Sequence, residues 1–73
     1  MKNVFVIKEI TLQPFKDGHV KLVNYVVTQK SLTNVIEGAK RFGTYEEAEG
    51  YLRRNLEKKA TSQRLYEVFE WIR

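Results

Sequence analysis

Residues 4–28, VFVIKEITLQPFKDGHVKLVNYVVT, decide the fold. Both ends of this stretch are rich in β-branched and aromatic side chains, which pack well on a pleated sheet and lose rotamer freedom in a helix. Between them, Pro14 blocks ladder hydrogen bonding, and Asp17-Gly18 tolerates the positive φ that a tight reversal needs. The stretch therefore predicts a β-hairpin with strands over Val4–Leu12 and Val20–Thr28.

Side-chain alternation divides each predicted strand between two faces. In the first strand, the predicted core face carries Val4, Val6, Ile10 and Leu12. The other face of that strand carries Phe5, Ile7, Glu9 and Thr11. In the second strand, the two faces carry Val20, Leu22 and Val26 on one side and Lys21, Val23, Tyr25 and Val27 on the other. Because both of its faces are substantially apolar, the second strand is predicted to be central or covered.

The segment Thr44-Tyr45-Glu46-Glu47 has the pattern of a capping box. The Thr44 hydroxyl is expected to accept a hydrogen bond from the Glu47 amide, while the Glu47 carboxylate reaches back to the Thr44 amide. Ala48, Leu52 and Leu56 then follow at helical spacing. The pattern predicts a helix from about Tyr45 to Lys59.

Two other segments are harder to interpret. Leu65–Arg73 has apolar residues at helical spacing, but they are mostly strand formers, and its length and composition favour a strand. As a helix, it would leave the sheet one strand short. Residues 29–43 predict a helical turn that is capped by Ser31 and ended by Gly38, followed by Lys40–Phe42 extended beside the sheet.

These elements predict one α+β domain over residues 1–73. We expect a three- to four-stranded, mainly antiparallel sheet, built from the N-terminal hairpin and a C-terminal strand, with one α-helix packed on one face. A chain of 73 residues supports a single core, and its margin of stability is expected to be thin.

Composition limits the chemistry that the chain can perform. It has no cysteine and one histidine, so it predicts neither disulfides nor a structural zinc site. The apolar run Val4–Ile7 is too short for a signal peptide or a membrane span. We therefore expect a soluble cytoplasmic protein that has no cofactor and does not associate with membranes.

No catalytic or metal-binding centre is predicted. His19 lies beside the predicted turn, without a neighbouring nucleophile or second ligand. The glutamates at 46, 47 and 49 are explained by their position at a helix start, and the four glycines form no phosphate-binding loop. We expect the protein not to be an enzyme, and no small-molecule substrate is indicated.

The leading functional hypothesis is a protein-binding module, acting on another protein or as a homodimer. The predicted strands have apolar residues on both faces, and one helix covers only one of them. The candidate interface consists of Phe5, Ile7, Val23, Tyr25, Val27, Phe69 and Trp71. Alternatively, residues 29–43 fold over this face and bury it.

A second hypothesis is nucleic-acid binding. Six basic residues precede the predicted helix or crowd its second half: Lys40, Arg41, Arg53, Arg54, Lys58 and Lys59. If they converge, they form a phosphate-binding patch, which agrees with the net charge of +4. The alternative is a solvated helix end, with Glu49 four residues before Arg53.

The chain also resembles a known class of proteins. A hairpin ending in NYVVT (residues 24–28), then AKRFGTYEEAE (39–49) opening a helix, then a closing YEVFEWI (66–72), resembles small phage or prophage proteins of unknown function. The resemblance covers nearly the whole chain. It implies a phage accessory protein that binds and alters a host factor, and it brings no catalytic residues.

Overall fold

A computed structural model describes residues 3–72 and confirms the α+β fold. Its four strands are β1 (Asn3–Phe15), β2 (Gly18–Thr28), β3 (Ser31–Thr33) and β4 (Arg64–Ile72). They form one sheet in the order β3-β2-β1-β4, and all neighbouring strands are antiparallel. The helix α1 (Tyr45–Tyr51) begins the helical segment on one face of the sheet.

The hairpin is longer than predicted, and its turn lies within the predicted segment 13–19. Phe15 pairs with Gly18, so the turn residues are Lys16 and Asp17. The positive φ, 53°, is at Lys16 and not at a glycine, which corrects the expectation for Asp17-Gly18. Pro14 lies within β1, where β4 no longer runs alongside, so its missing N–H removes no ladder bond. The hairpin therefore extends as a two-stranded arm, and the molecule measures 42 × 25 × 17 Å.

The C-terminal segment is a strand, as predicted. β4 pairs with β1 from Asn3 opposite Ile72 to Thr11 opposite Arg64. Its last predicted residue, Arg73, lies outside the described residues. The strand makes β1 central, which explains why β1 has apolar side chains on both faces.

The helical segment spans the predicted range but changes its winding. After α1, Leu52–Leu56 is a π-helix and Glu57–Lys59 is a 3-10 turn. Asn55 Nδ2 donates to the Tyr51 carbonyl oxygen at 3.2 Å, and the Glu57 amide bonds to the Leu52 carbonyl five residues back. A side chain that inserts into the backbone ladder is a known cause of such local unwinding. As a result, Ala48 and Leu56 are both buried, whereas Leu52 between them is half-buried.

The predicted Thr44 cap of α1 is confirmed, whereas the Glu47 carboxylate bonds to the Thr44 hydroxyl in place of the predicted Thr44 amide. The Thr44 hydroxyl oxygen accepts from the Glu47 amide at 3.1 Å, and the same hydroxyl lies 3.3 Å from the Glu47 carboxylate, to which it donates. We expect Thr44→Ala to lower the free energy of unfolding by about 1 kcal/mol, because one helix N–H loses its acceptor. Urea denaturation measures the change. Thr44→Ser is the control, since it keeps the hydroxyl, and equal losses in the two variants would contradict the cap.

The helical segment covers the opposite face of β1 from the one predicted. The core cluster consists of Ile7, Val26, Phe42, Ala48 and Leu56, with Phe5, Tyr51, Leu52, Tyr66 and Val68 packed against it. Ile7 therefore lies in the core, and Ile10 and Leu12 point to the other face of the sheet. We call the helix-covered side the first face and the other side the second face.

Residues 29–43 enter the sheet and also cross it. β3 pairs with the outer side of β2, in place of the first part of the predicted helical turn. The turn itself is a 3-10 turn at Ile36–Gly38, which ends at Gly38 as predicted. Lys40–Phe42 is extended as predicted and fills the gap where β1 and β2 separate. There the Lys40 amide bonds to the Val26 carbonyl at 3.0 Å, and Phe42 exchanges two hydrogen bonds with Phe5. Residues 34–39 must therefore cross β2. Gly38 lies against the side chain of Thr33, which shares the face of Tyr25, so the crossing is on the second face.

Candidate protein interface

The second face is divided into a covered part and an open part. Val4 and Val6 are buried although no helix packs on them, at the end of the sheet where residues 34–39 cross β2 and Arg41 reaches over the face. The crossing of β2 by residues 34–39 agrees, at this end of the sheet, with the alternative in which residues 29–43 fold over the candidate interface. Farther along β1, the face opens.

The open part centres on a row of three apolar residues from three adjacent strands. Ile10 lies directly between Val23 on β2 and Leu65 on β4. Val23 is 40% exposed and Leu65 is 49% exposed, while Ile10 and its face neighbour Leu12 are half-buried. We call these four residues the open patch. Lys21, opposite Leu12, and Glu67, opposite Lys8, give it a charged rim, which is typical of protein interfaces.

Two aromatic rings extend the open patch along β4, and each carries a cation. The Lys8 ammonium lies 3.9 Å from the centre of the Phe69 ring, and the Arg41 guanidinium lies 5.4 Å from the centre of the Trp71 ring. Such cation–π contacts contribute about 0.5–1 kcal/mol at exposed sites. The rings are half-buried under side chains that an incoming partner can displace at modest cost.

The structure brings together four of the seven predicted interface residues. Val23, Tyr25, Phe69 and Trp71 share the second face. Tyr25 lies on β2 where residues 34–39 cross it and is half-buried, so Val23 is the most accessible of the four. Val27 is half-buried at the register shift between β2 and β3. The prediction is wrong for Phe5 and Ile7, which lie on the first face. Ile7 is fully buried there, and the Phe5 ring packs edge-on against Tyr45 at 6.2 Å.

Sequence reasoning missed Ile10, Leu12 and Leu65 as members of the accessible surface. The predicted core face includes Ile10 and Leu12, and the candidate interface does not include Leu65. The cross-strand register is the feature that could have identified these residues, because it places an apolar residue on each side of Ile10. That register depends on the two-residue turn at Lys16 and Asp17, which the sequence locates only within residues 13–19.

The six basic residues do not converge on one surface. Arg41 lies on the second face, and Lys59 donates to the Gln29 carbonyl at the β2–β3 turn. Arg53 pairs with Glu49 at 3.4 Å in a groove beside β4, at the other edge of the sheet. The remaining three are Lys40, near the Phe42 and Tyr51 rings, Arg54, folded back over Gly50, and exposed Lys58.

The first face contains one buried charged residue, Glu9, which is 9% exposed. The hydroxyl of Tyr66, its cross-strand neighbour, donates to Glu9 Oε2 at 2.8 Å. Burial, together with this hydrogen bond and the charge of Glu9, raises the pKa of Tyr66 to about 12, against a smaller opposing effect of Arg64. The tyrosine therefore stays protonated at neutral pH and acts as a donor to the carboxylate.

Two hollows flank the helical segment on this face. One of about 200 Å³ is bordered by Glu9, Tyr66, Lys59 and Arg64. The other, of about 420 Å³, lies between the helix and β4 and has walls of mixed charge, including the Arg53–Glu49 pair. Within residues 3–72, no group of three histidine, cysteine or acidic side chains is placed to hold a metal ion. In the same range, no helix is long and apolar enough to span a membrane.

Comparisons with protein-family models, with curated proteins and with solved structures find no match to this chain.

Proposed function

We propose that this protein binds another protein chain through the open patch and the adjoining β4. The observation that carries the proposal is the row Val23–Ile10–Leu65, which is apolar, crosses three strands and has charged residues at its rim. Buried apolar contacts surrounded by polar residues are the usual anatomy of a protein interface. The neighbouring Phe69 and Trp71 supply aromatic anchors of the kind that interfaces favour.

We expect Val23→Lys to weaken partner binding by about 10-fold or more, because a charge is placed at the centre of an apolar contact. Leu22→Lys is the matched control. Leu22 precedes Val23 on the same strand and is 39% exposed against 40%, but it points to the first face. Affinity capture from source-cell extract with the two variants and the unsubstituted protein measures the effect. Equal retention of the captured protein by both variants would refute the open patch.

The resemblance to small phage or prophage proteins extends this proposal. It suggests an accessory protein that acts in the host cytoplasm, binds a host factor and alters its activity. The genes that neighbour the coding sequence test this extension. Phage structural or replication genes beside it are the expected result, and a conserved set of cellular genes would contradict it.

Nucleic-acid binding remains the alternative proposal. Its support is the net charge of +4. The six basic residues add no phosphate-binding patch to that support, because they are dispersed and Arg53 is paired with Glu49. It predicts an affinity for DNA or RNA that falls steeply as salt rises. Failure to retard either nucleic acid at low ionic strength would remove it.

A further inference from the structure

The outer edge of β4 presents unpaired backbone groups in a fixed alternation. The Leu12 amide donates to the Gln63 carbonyl at 2.9 Å, which defines the residues that bond to β1. Leu65, Glu67, Phe69 and Trp71 follow at every second position, so their peptide groups point toward β1. The peptide groups of the residues between them point outward. These are Tyr66, Val68, Glu70 and Ile72.

The helical segment borders this edge without pairing with it, because it forms the opposite wall of the groove that Tyr66 and Val68 line. At the start of the edge, Arg64 exchanges hydrogen bonds of 2.9 and 3.3 Å with Thr61, which closes that end. From Tyr66 onward, β4 contains no proline and no bulge, and within residues 3–72 no backbone group pairs with it from outside. Long regular edges of this kind are templates for pairing with another strand.

We propose that the partner strand is β4 of a second copy of this chain, joined antiparallel so that two four-stranded sheets form one. The inference rests on the proposed protein-binding function and names its partner. Charge selects the direction. An in-register parallel pairing would place Glu67 and Glu70 opposite their own copies, whereas an antiparallel pairing brings Arg64 of one copy near Glu70 of the other.

An antiparallel register centred on Val68 pairs the outward backbone groups of one β4 edge with those of the other. It pairs Tyr66 with Glu70 of the second copy and Val68 with itself, and each pair is of the hydrogen-bonded type. On the second face, it places Leu65, the most exposed member of the open patch, opposite Trp71 of the second copy. Glu67 then lies beside the Phe69 ring of the second copy, which has the Lys8 ammonium above it.

Sedimentation equilibrium of the full chain and of Glu70→Pro and Glu70→Ala tests the proposal. The outward N–H of Glu70 makes no bond to β1, so proline removes only the donor that the second copy needs. Both substitutions lose the hydrogen bond from Asn3 to Glu70, so alanine is a matched control. We expect the unsubstituted chain and Glu70→Ala to dimerise at about 100 μM, and Glu70→Pro to remain monomeric with an unchanged circular dichroism spectrum.

A monomeric unsubstituted chain at concentrations up to about 1 mM, or a folded Glu70→Pro variant that still dimerises, would overturn the proposal.

If Glu70→Pro fails to fold, Val68→Cys provides the test, because the chain has no other cysteine. In this register the two Val68 Cα atoms lie about 5.5 Å apart, within disulfide range, and rapid oxidation to a covalent dimer is expected. Slow or absent oxidation would also overturn it. A monomer that still captures a different protein through Val23 overturns the self-pairing and leaves the proposed function standing.

Discussion

Replacing Ile7 by alanine is expected to lower the free energy of unfolding by about 4 kcal/mol, which is the largest effect of any single truncation considered for this chain. Ile7 is fully buried in the cluster that contains Leu56 and Ala48, so its removal leaves a cavity that the sheet and helix cannot readily close. A domain of this size has a total stability on the order of 4–11 kcal/mol. Thermal and urea denaturation should show both transitions shifted strongly, to a lower temperature and to a lower urea concentration.

Ile10→Ala is the matched control, because it is the same substitution three residues later on the same strand but on the second face. Ile10 is half-buried, and we expect a loss of about 1–2 kcal/mol in the isolated chain. The ratio of the two losses tests which face of β1 the helix covers. A larger loss for Ile10 than for Ile7 would contradict the structure.

The face of β1 that the helix covers is the main feature that the sequence could not supply. Each face of this strand carries apolar residues and one charged residue, Lys8 on one side and Glu9 on the other. Alternation therefore assigns the two sets correctly but gives no reason to choose between them. Glu9 does not exclude its face from the core, because the Tyr66 hydroxyl, fifty-seven positions later in the chain, donates a hydrogen bond to its carboxylate.

Local signals were more informative than tertiary ones. The Thr44 cap predicted the helix start, and the β-forming composition of residues 65–72 outweighed their helical spacing. The path of residues 29–43 was only partly predicted. Lys40–Phe42 is extended as predicted, whereas the pairing of β3 with β2 and the position of Lys40–Phe42 in the gap between β1 and β2 depend on tertiary structure alone.

Replacing Tyr66 by phenylalanine is expected to lower the free energy of unfolding by about 2 kcal/mol at pH 7. The substitution leaves the Glu9 carboxylate buried without its short donor, and only the Thr11 hydroxyl at 3.5 Å remains. Hydrogen bonds to charged groups contribute about 1.5–3 kcal/mol, and an unsatisfied buried acceptor adds a desolvation cost. Urea denaturation of the two proteins measures the difference.

The difference between the two proteins should depend on pH in the alkaline range. Because the pKa of Tyr66 is raised from 10.0 to about 12 in the folded state, the tyrosine's contribution is fully present below pH 10 and is lost as pH rises toward 12. Partial exposure limits this loss to about 1–2 kcal/mol. The stability of Tyr66→Phe should therefore approach that of the unsubstituted protein as pH rises through this window, and a constant gap up to pH 12 would contradict the Tyr66–Glu9 bond.

A double-mutant cycle with Glu9→Leu separates the hydrogen bond from the packing of the tyrosine ring. If the bond accounts for the loss, Tyr66→Phe should cost little in the Glu9→Leu background, because neither a donor nor a buried charge remains to be satisfied. If the ring alone matters, the cost should be the same in both backgrounds. The first result would mean that the single buried charge of the first face is held by a bond joining the central strand β1 to the edge strand β4. The same strand would then be fixed by Glu9 on one side and remain free on the other to pair with a second chain.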